Sequence, residues 1–140
     1  MDHVGIVVDD LAAAKAFFGE LGLEVQGEGS VEGEFADRVV GLEGVRSDLV
    51  MMETPDGHSR LELIKFRAPP GPGGDRHAPA NAPGLRHLSF LVDDVDAALD
   101  RVQAQGGELV GGVENYEDIF RLCYVRGPEG IIVELAERVG

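Results

Sequence analysis

The chain has 140 residues, 44% of them hydrophobic, and a formal net charge of −14. That length suits one compact unit or two very small ones packed as one, and so acidic a surface repels phosphate backbones, which argues against nucleic-acid binding. A single cysteine, Cys123, excludes an intramolecular disulfide, no apolar run is long enough to cross a bilayer, and an acidic N-terminus leading straight into a strand-like stretch offers no secretory signal, so the cytoplasm is the expected compartment.

In chain order, HVGIVV (3–8) reads as a strand, and Asp9 or Asp10 as the N-cap of the helix after it. In that helix Leu11, Ala14, Phe17 (with Phe18) and Leu21 share a face, and Gly22 suits a left-handed end. ADRVVGL (36–42) reads as an extra short helix. MMETPDGHSRLELIKF (51–66) reads as strand, Pro-acid-Gly turn, strand. RAPPGPGGDRHAPANAPG (67–84) carries five of the seven prolines and reads as an extended linker without a core of its own. Its length would let the second part of the chain pack beside the first or reach a partner chain.

After the linker the phrase returns. RHLSFLV (86–92) is a strand, Asp93 or Asp94 a cap, and Val95, Ala98, Leu99 and Val102 a helical face ended by Gly106-Gly107. The histidines at 3 and 87 are 84 positions apart, and the same offset carries Asp9-Asp10 onto Asp93-Asp94 and Gly22 onto Gly106. CYVRGPEGIIVELAER (123–138) repeats the strand–turn–strand of 51–66, with Cys123 as a small apolar strand residue. Both copies read β-α-β-β-β, giving module one at 1–67, a linker at 68–83 and module two at 84–140. The fold class is therefore α+β.

Strand alternation then places the candidate chemistry. His3, Gly5 and Val7 share one face of the first strand, while Val4, Ile6 and Val8 lie under the helix. In the second copy His87 and Ser89 face away from Leu88, Phe90 and Val92. Glu62 (RLELIKF) and Glu134 (GIIVELAE) sit in strands apolar on both sides, where a carboxylate is costly unless paired or bound to a cation. Glu62 shares its face with Ile64 and Phe66. If the two sheets curve toward each other, two imidazoles and two carboxylates converge, a sound donor set for a divalent first-row metal. For any single residue here a structural role would be the simpler reading. The metal reading rests on the recurrence of both types at matching positions. His58 and His77, in a turn and the linker, read as solvated.

Through DHVGIVVDDLAAAKAFFGELGLEV, LELIKF, GLRHLSFLVDDVDAAL and YVRGPEGIIVEL the chain resembles the vicinal oxygen chelate superfamily, which includes glyoxalase I, methylmalonyl-CoA epimerase, extradiol dioxygenases and bleomycin- and fosfomycin-resistance proteins. The resemblance covers nearly the whole chain. It implies paired βαβββ modules forming a curved mixed sheet around a metal-binding cleft, and a homodimer acting on a small molecule. It also implies one divalent ion (Zn, Ni, Mn, Co or Fe) held by His3, Glu62, His87 and Glu134. The implied activity is that of a metal-dependent lyase or isomerase of glyoxalase type. Its substrate would chelate the metal through neighbouring oxygens, with Glu134 as base and Glu62 as the alternative. Met51, Phe66, Phe120, Arg121 and Tyr124 are candidate pocket walls, though Arg121 suits a surface ion pair equally well. The same resemblance supports two rival readings. One is a metal-free drug-binding protein. The other is an iron-dependent extradiol dioxygenase, which the chain resembles only at His3, His87 and Glu134. Where bacterial glyoxalase I has an asparagine that helps to hold glutathione, this chain has Lys65 and Phe66.

Overall fold

The computed structural model describes residues 1–140 and divides the chain into two compact halves, Met1–Gly73 and Gly74–Gly140. Each is a mixed sheet carrying a helix on one face.

In the first half the elements are β1 (Val4–Val7), α1 (Leu11–Glu20), β2 (Glu24–Glu32), α2 (Glu34–Val40), β3 (Arg46–Glu53) and β4 (Arg60–Ala68). The sheet order is β1-β4-β3-β2, with β1 parallel to β4 and the other pairs antiparallel. Helix α1 starts because the Asp10 side chain accepts a hydrogen bond from the Ala13 N–H at 2.9 Å. It ends where Gly22 takes a φ of 94°. Its buried face is Ala14, Phe17 and Phe18, the two rings meeting edge to face at 5.3 Å. These lie over β3 and β4, where Val50, Met52, Leu61 and Leu63 are also buried. The short helix expected at 36–42 runs instead over Glu34–Val40. Gly41, at φ 78°, stops it two residues sooner than the apolar pattern suggests.

In the second half the elements are β5 (His87–Val92), α3 (Val95–Ala104), β6 (Glu108–Leu109), β7 (Glu114–Tyr116), β8 (Phe120–Arg126), a 3₁₀ turn (Pro128–Gly130) and β9 (Ile132–Arg138). The order is β5-β9-β8-β6, with β7 also pairing β8 and β5 parallel to β9. Asp94 caps α3 by accepting from Ala97 N–H at 3.0 Å, and Glu137 reaches over from β9 to accept from Val95 N–H at 2.9 Å. Val95, Ala98, Leu99 and Val102 are buried, facing Cys123, Val125, Val133 and Leu135. Burial pushes the Cys123 thiol pKa up, so it stays a protonated apolar group.

The halves differ in α2, which has no counterpart in the second half, and in one strand. Where the first has the nine-residue β2, the second has β6 and β7 on either side of Gly111-Gly112, both pairing with β8. Two successive glycines, with no side chains to pack and maximal backbone freedom, break the ladder there. The linker has no buried residue, yet it is tied down. The boundary between halves falls within it, and its C-terminal part lies on the second half. Arg76 pairs with Glu129 at 2.7 Å, and Arg86 donates to the carbonyls of Ala78 and Pro79 at 2.8 and 2.7 Å. Gly130, at φ 79°, lies directly beneath, and a Cβ there would stand 2.3 Å from the Arg76 carbonyl oxygen.

No helix of the chain is long and apolar enough to cross a membrane.

Candidate functional site

In each half the first and last strands lie side by side, so a residue at the start of one meets the middle of the other. In the first half the parallel register sets Gly5 beside Glu62 and Val7 beside Ile64. His3, just ahead of β1, falls on that same helix-free face. Its Nε2 stands 3.8 Å from Glu62 Oε2. In the second half Ser89 lies beside Glu134, and His87 Nε2 is 3.4 Å from Glu134 Oε2. The strand residue next to each carboxylate is small, Gly5 or Ser89.

The carboxylates are the more buried members. The Glu62 and Glu134 side chains are 24% and 21% exposed, against 35% and 38% for His3 and His87. No lysine or arginine forms an ion pair with either glutamate. A largely buried carboxylate gains by binding a cation, and imidazole with carboxylate suits a divalent first-row ion. Two ligands held at about 2.1 Å from one ion stand roughly 3.0–3.4 Å apart across octahedral to tetrahedral angles. The second pair is at that spacing, and the first needs only a small side-chain rotation. The donor set thus fits a metal. No group of three or more His, Cys, Asp or Glu side chains is arranged so as to hold a metal ion by itself.

The two imidazoles are held differently. His3 Nδ1 is 2.7 Å from Asp2 Oδ2, and the other oxygen of Asp2 is ion-paired to Arg60. The hydrogen bond from His3, then the Arg60 guanidinium, hold the Asp2 carboxyl below the usual carboxylate range. His87 has no such carboxylate. Its ring lies against that of Tyr124, with centroids 4.8 Å apart and planes at 37°.

The candidate walls separate by strand parity. Met51 is the cross-strand neighbour of Glu62, and Tyr124 that of Glu134. Phe66 and Phe120 share those faces but lie four residues from Glu62 and Tyr124, about 13 Å along the strand, at the far ends of the faces. Arg121 stands apart from this group. It has the opposite parity from Tyr124, and on the helix side it makes a two-pronged pair with Asp96 at 2.6 and 3.1 Å. That contact lowers the Asp96 pKa and raises that of Arg121. The His58 side chain is 84% exposed in its turn, and His77 is exposed in the linker. Sequence reasoning passed over Asp2 and Arg60. The available signal was parity, since Arg60 shares the strand face of Glu62 two residues away, and Asp2 adjoins His3.

A βα unit repeated along one chain, with a His–Glu pair on each helix-free sheet face, is the frame against which known families are compared. The model of the Glyoxalase/Bleomycin resistance protein/Dioxygenase superfamily matches residues 1–135, and the chain belongs to that superfamily. It is similar to the uncharacterized protein YaeR of Escherichia coli (strain K12), 33% identical over 138 residues covering 97% of this chain and 94% of that protein. Among solved structures it is similar to a glyoxalase family protein from Bacillus cereus, at a TM-score of 0.96 and 49% identity, covering 100% of this chain and 94% of that one. The fold is shared with the fosfomycin resistance protein FosX of Listeria monocytogenes, solved with Mn(II) and 1S,2S-dihydroxypropylphosphonic acid. That match has a TM-score of 0.60 and 15% identity, covering 100% of this chain and 89% of that one.

Proposed function

We propose that this chain is a divalent-metal-dependent lyase or isomerase of glyoxalase type. Its substrate is a small molecule that binds the metal through neighbouring oxygens, and it works as a homodimer in the cytoplasm. The observation that carries this reading is the duplicated His–Glu pair, one on each helix-free sheet face, at 3.8 and 3.4 Å. FosX, whose fold this chain shares, was solved with Mn(II), which supports the metal in this reading.

His3, Glu62, His87 and Glu134 hold the ion. When bound, it supplies Lewis-acid stabilisation of the negative charge that develops on substrate oxygen as a proton leaves carbon. Glu134 takes that proton on a carboxylate oxygen and returns it, with Glu62 as the alternative base. Met51 and Tyr124, each beside a glutamate, flank the reacting carbon and limit water access.

The test is elemental analysis of protein purified without chelator, beside Glu62→Ala and Glu134→Ala. In parallel, deuterium uptake from D₂O next to the carbonyl of small α-hydroxycarbonyl compounds is monitored by NMR. The parent should carry a first-row divalent ion that both variants lose, and should catalyse exchange only when loaded. Variants that hold metal as well as the parent would refute the site. Metal lost in Glu134→Ala but kept in Glu62→Gln would favour iron-dependent ring cleavage.

A further inference from the structure

The two histidines are equivalent by repeat but not by environment. His3 Nδ1 is 2.7 Å from Asp2 Oδ2. An ionised carboxylate can only accept hydrogen bonds, so the proton of that bond belongs to the imidazole. A neutral His3 therefore carries its proton on Nδ1, and Nε2 keeps a bare lone pair. That nitrogen is the one directed at Glu62, at 3.8 Å, beyond hydrogen-bonding distance. Asp2 is itself held: Arg60 Nη2 pairs with its other oxygen, and Arg60 sits on β4 with Glu62, two residues before it on the same face. Arg60, Asp2 and His3 form a line that ends at the lone pair facing Glu62. The repeat does not reproduce it. The residue before His87 is Arg86, whose guanidinium is engaged with the carbonyls of Ala78 and Pro79, and the counterpart of Arg60 under the Glu62–Glu134 match is Ile132.

We propose that Asp2, backed by Arg60, is a positioning residue that fixes the tautomer and orientation of His3 and makes its Nε2 the pre-set nitrogen ligand of the site. This rests on the metal reading given above. A carboxylate behind an imidazole raises its basicity as a donor, and losing such a partner typically lowers metal affinity about 10- to 100-fold. His87, whose ring lies against Tyr124 and whose Nε2 is 3.4 Å from Glu134 Oε2, has no carboxylate behind its Nδ1 and lacks this pre-setting.

The experiment has two readouts on the full chain. The first is long-range ¹H–¹⁵N NMR of the histidine rings in metal-free protein at alkaline pH, where imidazole is neutral. The second is Co(II) affinity from visible absorption in competition with a chelating dye. The parent should show His3 as the Nδ1–H form. Asp2→Ala should release that preference and weaken Co(II) binding about 10- to 100-fold. Asp2→Asn, which keeps an acceptor but loses the charge and the Arg60 pair, should fall between. Arg60→Gln should weaken binding less than Asp2→Ala and add little to it in the double variant. Asp56→Ala, in the β3–β4 turn, serves as a control and should change neither readout. Both Asp2 and Arg60 lie outside the buried core, so circular dichroism should show intact folding. His3 as Nε2–H in the parent, or an unchanged tautomer in Asp2→Ala, overturns the proposal. So does a released tautomer with unchanged Co(II) affinity. A parent that binds no Co(II) fails the metal reading itself, and the tautomer measurement tells that failure from the others.

Discussion

The first half steadies its histidine with a carboxylate and the second with a phenol ring, and the contrast runs through both halves. Their frames match: a capped helix over a sheet, with the helix-free face bearing one His and one Glu. Their fillings do not. Under α1 the core is aromatic, with Phe17 and Phe18 edge to face, whereas under α3 it is aliphatic, built from Val95, Leu99 and Val102. The repeat thus preserves the strand–helix frame and the positions of the His–Glu pair while each copy finds its own way of packing and orienting them.

The largest effect that tests this contrast is on stability. Phe17→Ala should cost about 3–5 kcal/mol, since a fully buried ring leaves a cavity that its neighbours cannot fill. Val102→Ala should cost only about 2 kcal/mol, the transfer of two methyl groups plus a smaller void. Urea unfolding monitored by circular dichroism measures both, and equal losses would erase the distinction between the cores. Next in size is the Tyr124 ring. Aromatic contacts of this kind are worth about 0.5–1.5 kcal/mol, so Tyr124→Leu should lower Co(II) affinity by roughly 2- to 10-fold, while Tyr124→Phe should keep it. A leucine variant that binds like the parent would show that the ring does not steady His87.

The smallest effect lies at the surface. The Asp96 pKa is lowered by its hydrogen bond from Arg121, so NMR should find its midpoint below the ordinary 3.8. Arg121→Gln should bring it back toward that value. Because the folded pKa is the depressed one, the pair stabilises the fold above the unfolded pKa and loses that contribution as pH falls through the folded one. A midpoint at or above 3.8 in the parent would remove the pair from consideration.

Many of these features are legible in the sequence, because periodicity reports burial directly. The 3.6-residue spacing of Val95, Ala98, Leu99 and Val102 marks the face that is buried. The Asp-Asp pairs at 9–10 and 93–94 mark where the helices are capped, and the coordinates select Asp10 and Asp94. The period of two puts His3 and Glu62 on one face, and His87 and Glu134 on another. Other features needed coordinates. The loss of a continuous strand at Gly111-Gly112 depends on which partner residues are left unpaired, which local pattern does not record. The Arg121–Asp96 pair joins a strand to a helix 25 residues away. Parity alone would have separated Arg121 from Tyr124, since they are three positions apart in one strand. Parity and adjacency put Asp2, His3 and Arg60 near one another, but which ring nitrogen of His3 faces Asp2 depends on ring orientation, which no spacing rule encodes.

The strand β2 has a further consequence. It is the outer strand of its sheet, nine residues long, exposed throughout, and it carries Glu24, Glu28 and Glu32. A like-charged molecule sliding alongside to extend the sheet would bring these acids together, and exposed strands guarded in this way resist aggregation. In the second half the outer position is taken by two short pieces, β6 and β7, too brief to template another chain. Self-association through these sheet borders is thus discouraged by two different devices, although Glu28 is itself paired with Lys15.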